Sequence, residues 1–170
     1  FLGWGGYAEQ AVCHESTVYP LPDGIDSAAA LCLGISYCTA YGGLVWRAHL
    51  DAGETLLVLA AAGGVGLAAV EVGRAIGAFV IAAAGGKEKC RLAFEHGANA
   101  VIDYRDEDLR GRIRDLTPLP GLDVVFDPVG GELSETALRS LRPSGRLVSI
   151  GFASGSMPQI QPNILLVKHT

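Results

Sequence analysis

The stretch from Thr55 to Ile76 joins an apolar run, Thr55-Leu56-Leu57-Val58-Leu59-Ala60, to a glycine turn and then to a helical pattern. The turn reads Ala61-Ala62-Gly63-Gly64-Val65-Gly66. A strand, a glycine turn and a helix start in that order form a cradle for a pyrophosphate. One glycine lets the backbone approach the anion, another lets the helix pack close to the strand, and the free amide hydrogens of the first turn face the negative charge. Gly63, Gly64, Val65 and Gly66 occupy these places, with Ala61 where the first glycine of the fingerprint would stand. A turn of purely structural glycines is the alternative, and the strand and helix on either side weigh against it.

The end of the second strand decides which dinucleotide fits. An NAD site places Asp or Glu there to accept hydrogen bonds from the ribose. This chain instead reads Ile81-Ala82-Ala83-Ala84-Gly85-Gly86-Lys87-Glu88-Lys89-Cys90-Arg91. No carboxylate closes the strand, and Gly85 and Gly86 leave room for a 2′-phosphate beside Lys87, Lys89 and Arg91. The pattern favours NADPH over NADH. It also counts against an S-adenosylmethionine methyltransferase, which wants the same acidic residue. Lysines in a first helical turn also serve as solvated charges, and that alternative stays open here.

The elements that must position these residues alternate regularly. Strands are expected at Thr55–Ala60, Ala78–Ala84, Ala100–Asp103, Leu122–Asp127 and Arg146–Gly151, with helices at Gly64–Ile76, Lys87–His96, Asp106–Leu116 and Glu132–Leu141. Apolar strands separated by helices of this length give an α/β fold, a doubly wound parallel sheet covered on both sides by right-handed crossovers. Before the first strand, a β-like stretch is expected around Ala8 to Val12. The Pro20-Leu21-Pro22-Asp23-Gly24 turn follows, then a helix capped by Asp26 and Ser27, and a further helix from about Thr39 to Leu50. Pro162 to Lys168 reads as one more helix start. A six-stranded sheet would want another strand after it, so both chain ends read as truncated, and Phe1 in place of methionine points to a processed chain or an excised piece.

Composition narrows the partners. The chain has 170 residues, 49% of them hydrophobic, with 23 glycines and a net charge of −5, which excludes disordered, collagen-like and coiled-coil classes. An acidic balance leaves no footprint for nucleic acid. No uninterrupted run of about 18 apolar residues suggests a membrane span, since polar and glycine positions break Ile35 to Val45. Cys13, Cys32, Cys38 and Cys90 are spaced too widely for a zinc knuckle and read as reduced, mostly buried thiols of a cytoplasmic protein.

Taken together, these motifs resemble the medium-chain dehydrogenase/reductase superfamily, and within it the zinc-free quinone oxidoreductase branch that includes zeta-crystallin. The similar segments are Gly5-Gly6-Tyr7-Ala8-Glu9, the Pro20 to Gly24 turn, the Ala61 to Gly66 turn, Val101-Ile102-Asp103-Tyr104-Arg105, Val125-Phe126-Asp127-Pro128-Val129-Gly130-Gly131, and Gly145-Arg146-Leu147-Val148-Ser149-Ile150-Gly151-Phe152. The resemblance implies a Rossmann domain over residues 27–170 that lacks its last strand, preceded in 1–26 by a remnant of a GroES-like barrel domain. It implies that Gly85, Lys89 and Tyr104 contact the 2′-phosphate, although Tyr104 also reads as a half-buried loop aromatic. It implies further that Thr39 lies beside the nicotinamide, that Val129 and Gly130 follow its ribose, and that Gly151, Phe152 and Ser154 form the lip under its ring. A homodimer through the sheet edge is part of the same expectation.

The zinc branch carries a catalytic cysteine where this chain has Ile35, which cannot bind a metal. Without a metal to polarise a carbonyl, the resemblance implies NADPH-dependent hydride transfer to a quinone or activated enone, with a small-molecule acceptor as the partner. Tyr37, Cys38, Thr39 and Tyr41 are the side chains near the expected nicotinamide; Tyr37 and Cys38 read as packing residues, and none is named as the proton donor. No tyrosine is followed four residues later by lysine, which removes the short-chain reductases. The alternatives are an NADPH-binding protein with a sensing or structural role, and a zinc-dependent alcohol dehydrogenase relative.

Overall fold

The computed structural model describes residues 7–117 and 121–169. The Gly5-Gly6 pair of the first motif lies outside them. Five parallel strands, β1 (Thr55–Leu59), β2 (Phe79–Ala84), β3 (Ala100–Asp103), β4 (Leu122–Asp127) and β5 (Leu141–Ser149), form one sheet in the order β3-β2-β1-β4-β5. Helix α1 (Ser27–Arg47) precedes the sheet. The helices α2 (Gly64–Ile76), α3 (Lys87–Glu95), α4 (Leu109–Leu116) and α5 (Gly131–Arg139) follow strands β1 to β4, and α6 (Pro162–Lys168) follows β5.

Every residue of β1 is buried, so successive side chains feed two separate cores. On one face Leu56, Val58, Val80, Ala82, Val124 and Phe126 meet Ala69 and Val70 of α2, Ala93 of α3, and Ala40 and Leu44 of α1. On the other, Leu57, Leu59, Ile81, Ile102 and Val125 meet Leu109 and Ile113 of α4 and Ala137 and Leu138 of α5. Each fully buried leucine or isoleucine contributes about 1.5 to 3 kcal/mol. The doubly wound α/β expectation is met.

Charge locks the amino ends of the strands. Arg146 donates through Nη1 to Glu54 Oε1 at 2.8 Å and through Nε to the Ala48 carbonyl at 2.7 Å, and Nη2 pairs with Glu54 Oε2. Arg142 pairs with Asp123, whose Oδ2 accepts the Thr55 amide hydrogen at 2.8 Å. The opposite edge, where the strands end, is left to the turns.

Several boundaries differ from the expectations, each for a local reason. Ala8 to Val12 form no strand: they are exposed and have no partner strand among the described residues. β5 starts at Leu141, not Arg146, because Leu141 pairs with Leu122 before a bulge, across which the partner of Val124 becomes Arg146. That early start ends α5 at Arg139. α4 begins at Leu109, where Asp108 accepts the Arg110 and Gly111 amide hydrogens as its cap. Asp26 occupies the cap position of α1 without a side-chain bond.

The expected helix at Thr39 to Leu50 is the second half of α1, continuous from Ser27 through two widened π turns at Leu33–Tyr37 and Gly42–Arg47 and ending at Arg47. The four cysteines, expected to be mostly buried, are mostly exposed: Cys13, Cys32 and Cys38 face solvent and Cys90 alone is buried. Cys32 and Cys38 lie on α1, whose outward face also presents Leu31 and Ile35 to solvent. α1 is 21 residues long with mean hydropathy 1.5, enough to cross a membrane by length and composition, and a count of uninterrupted apolar residues missed it. Its glycines and serine break the run without adding charge.

Candidate dinucleotide site

Gly63, with an extended backbone, is the cap residue before α2, and no side chain caps the helix. The Gly63 amide hydrogen goes to the Ala60 carbonyl at 3.0 Å, and the Leu67 amide closes the first helical bond onto Gly63 at 2.8 Å. Gly64, Val65 and Gly66 supply the open amides between them. The turn is tight: Ala60 has φ +48°, and a Cβ at Gly66 would stand 2.3 Å from the Ala60 oxygen and 2.8 Å from the Ala61 Cα. A Cβ at Gly63 would meet only the Ala60 oxygen, at 3.4 Å, so space toward a ligand is what this glycine provides.

Ala60, Ala62, Gly63, Ala84, Gly85, Lys89 and Tyr104 line one cleft of about 180 Å³. The glycine turn, the end of β2 and the expected phosphate contacts therefore meet, and no carboxylate lines the cleft. Asp103, outside the cleft, braces the turn, with Oδ1 accepting the Gly86 amide hydrogen at 2.8 Å and the Arg105 amide hydrogen at 3.1 Å. Tyr104 in turn donates its amide hydrogen to the Ala84 carbonyl at 3.2 Å.

The structure separates the three cations that the sequence grouped. Lys89 faces the cleft, whereas Lys87 and Arg91 line a different cavity of about 380 Å³ with Phe94 and Val101. Two residues along a helix is about 200°, so Lys89 points away from both, while Lys87 and Arg91, four apart, share a face. Arg91 pairs there with Glu95 at 3.7 Å. Arg105 takes their place beside the turn: a Cβ at Gly85 would lie 3.0 Å from Arg105 Nε and 3.0 Å from Tyr104 Cε2. The sequence signal for Arg105 was its position directly after Tyr104.

The other half of the site follows β4 and β5. Asp127 is fully buried, and its Oδ1 accepts the amide hydrogens of Val129 at 2.8 Å and Gly130 at 3.0 Å. Ser154 donates its amide hydrogen to the Val129 carbonyl at 3.0 Å. A Cβ at Gly130, whose φ is +73°, would stand 2.9 Å from Phe152 Cδ1. Gly151 donates its amide hydrogen to the Asp127 carbonyl at 3.3 Å. Val129, Gly130, Gly151, Phe152 and Ser154 are thus neighbours. They follow β4 and β5, on the same sheet end as the glycine turn after β1, and the point between β1 and β4 where strand order reverses is the general ligand crevice of such sheets.

Helix α1 runs beside this crevice. Ser36 Oγ lies 3.3 Å from the Cβ position of Gly64, and Phe126 Cε2 lies 2.9 Å from that of Gly43. Thr39 is half-buried between these two contact points along the helix. Tyr37 is committed elsewhere: its hydroxyl donates to Glu71, whose other oxygen is 2.6 Å from His96 Nδ1. That bond to Glu71, with burial and the carboxylate's charge behind it, pushes the Tyr37 pKa up to about 12. Tyr37 is therefore a packing residue, as its sequence position suggested. Cys38, in contrast, is exposed. Among the described residues no three His, Cys, Asp or Glu side chains gather as metal ligands.

The family model described as zinc-binding dehydrogenase matches residues 64–170. The chain belongs to the zinc-binding dehydrogenase family. This family falls within the medium-chain dehydrogenase/reductase superfamily, and the match starts inside the glycine turn, at Gly64, and runs to residue 170. The chain is 39% identical over 165 residues to the quinone oxidoreductase-like protein 2 homolog of Nematostella vectensis, covering 97% of this chain and 45% of that protein. It is 40% identical over 168 residues to the Bos taurus quinone oxidoreductase-like protein 2, covering 98% and 48%. It superposes with a TM-score of 0.84 and 37% identity on the Thermus thermophilus quinone oxidoreductase, solved alone and with NADPH, covering 97% and 52%. The chain spans about half the length of the curated relatives it matches.

Proposed function

We propose that this chain binds NADPH and forms the cofactor domain of an oxidoreductase that transfers a hydride to a quinone or activated enone without zinc. One observation carries the reading: the cleft that joins Gly63, Gly85, Lys89 and Tyr104 beside the open amides of α2, with alanine and not a carboxylate closing β2. The residues fit the cofactor. The amides of Gly64, Val65 and Gly66 would hold the pyrophosphate, Gly85 and Gly86 would admit the 2′-phosphate, and Lys89 and Tyr104 would contact it.

When bound, the nicotinamide supplies the hydride; the chain's own share is to orient it and exclude water. Val129 and Gly130 would line its ribose, Gly151, Phe152 and Ser154 would support the ring, and Thr39 would stand beside it. Ile35 has no lone pair to offer a metal where the zinc branch carries cysteine, which supports the zinc-independent reading. The Thermus thermophilus structure named quinone oxidoreductase, with the two relatives named quinone oxidoreductase-like, supports the acceptor class. The same proposal includes a domain boundary near residue 26, a homodimer through the sheet edge and a cytoplasmic location; sedimentation and fractionation of the full-length protein check the last two.

The test is parallel titration of the chain with NADPH and NADH, by calorimetry or nicotinamide fluorescence, with Lys89→Ala alongside. Binding that prefers NADPH, with the preference reduced in the variant, is the expected result. Equal or tighter binding of NADH overturns the cofactor assignment. Quinone and enone turnover by the full-length protein then tests the acceptor.

A further inference from the structure

We propose that Arg105 is the second cation of the 2′-phosphate subsite and, together with Lys89, sets the preference for the phosphorylated dinucleotide; this rests on the NADPH reading above. Its guanidinium lies on the Gly85-Gly86 turn, with Nε 3.0 Å from the Cβ position of Gly85 and Nη1 4.0 Å from that of Gly86. Its backbone is fixed as well. One oxygen, Asp103 Oδ1, accepts the amide hydrogens of both Arg105 and Gly86, so the turn and the arginine keep a common spacing.

The charge of Arg105 is uncommitted. Among the described residues it forms no ion pair, whereas Arg91, Arg112, Arg142 and Arg146 each meet a carboxylate. A phosphate monoester carries a charge of about −1.5 to −2 at pH 7. With Lys87 and Arg91 on the far side of α3, Lys89 would otherwise meet that charge alone. Arginine adds a planar fork of donors suited to phosphate oxygens, reaching the turn from β3 while the lysine comes from α3. The ligand class is a nucleotide with a phosphate on the adenosine 2′ oxygen.

The experiment compares wild type, Arg105→Gln and Arg105→Lys in titrations with NADPH, NADH, 2′,5′-ADP and 5′-AMP at two salt concentrations. For Arg105→Gln the expected result is an increase of about tenfold in Kd for NADPH and 2′,5′-ADP, with NADH and 5′-AMP unchanged within about twofold. The salt dependence of NADPH binding becomes shallower, and Arg105→Lys recovers part of the affinity. If Arg105→Gln binds NADPH as wild type does while Lys89→Ala loses the preference, this proposal fails and the NADPH reading stands. Equal weakening of all four ligands would mean a structural role and also overturns it. A wild-type chain without NADPH preference removes the cofactor reading and this proposal together.

Discussion

Asp103 Oδ1 accepts the Gly86 amide hydrogen at 2.8 Å, which ties the end of β3 to the turn after β2. Asp103 is 8% exposed, and removing its carboxylate leaves two part-buried amide hydrogens, those of Gly86 and Arg105, without their acceptor. Asp103→Ala is expected to lose about 2 kcal/mol of stability and to weaken both NADPH and NADH, because the turn serves either dinucleotide. Asp103→Asn keeps an acceptor oxygen and recovers most of both losses. Urea unfolding with parallel titrations checks this; an alanine variant as stable as wild type would count against it.

Gly63 and Gly66 stand three residues apart in one turn and do different work. A Cβ at Gly66 would overlap backbone atoms that cannot swing aside, the Ala60 oxygen at 2.3 Å and the Ala61 Cα at 2.8 Å. Gly66→Ala is expected to cost about 3 kcal/mol or more, at the upper end for overpacking. Gly63→Ala meets only an ordinary contact and has a φ of −80°, so it folds with nearly wild-type stability. Its methyl group enters the cleft, and dinucleotide affinity is expected to fall about tenfold or more, since a lost close contact to phosphate is charge-assisted. Thermal melts and titrations of the two variants separate the roles. If both lose stability alike, the division fails.

The alternation of strands and helices was legible because β1 and β2 are almost wholly buried and carry continuous apolar runs, and β4 keeps Val124, Val125 and Phe126 buried between its two aspartates. The glycine turn was legible because its spacing is local. β5 was legible only in its second half, since Pro143, Ser144 and Gly145 look like a turn and the pairing of Leu141 with Leu122 is a long-range fact. The phosphate cations needed a helix phase, which separates Lys89 from Lys87 and Arg91, and a contact across strands, which brings in Arg105. The exposed cysteines of α1 depend on what covers that helix, and neither composition nor spacing records it.

Acid stability should report on Glu54. Burial pushes its carboxyl up, but the hydrogen bonds from Arg146 and the Asp51 amide, together with the charges of Arg146 and Arg142, outweigh burial and hold it below the ordinary 4.5. A carboxylate whose folded pKa is depressed contributes stability that is present above its unfolded pKa and lost as pH falls through the folded one. Wild type is therefore expected to lose stability progressively below about pH 4.5, and Glu54→Gln to show a flatter profile there. At neutral pH the variant costs on the order of 2 kcal/mol, less than the roughly 3 to 5 kcal/mol of a fully buried pair. Denaturant midpoints from pH 3 to 7 check the slope, and identical slopes would reject the assignment.

Alkaline stability reports on Tyr37 with the opposite sign. Its hydrogen bond to Glu71, burial and the neighbouring carboxylate favour the neutral phenol and push the pKa from 10.0 to about 12. Glu71 is itself drawn below its ordinary value, because the bonds from Tyr37 and His96 outweigh the desolvation that opposes them. A phenol with a raised folded pKa contributes stability that is fully present below pH 10 and lost as pH rises through 12. Tyr37→Phe is expected to remove that alkaline loss and to cost about 1 kcal/mol at neutral pH, where a part-buried hydrogen bond disappears. Because the hydroxyl is held against α2, NADPH affinity in this variant stays at the wild-type level. Chemical unfolding between pH 8 and 12, with a spectrophotometric tyrosine titration, reads both effects. An unchanged alkaline slope in Tyr37→Phe, or a large loss of NADPH binding, would show that the hydroxyl faces the crevice instead.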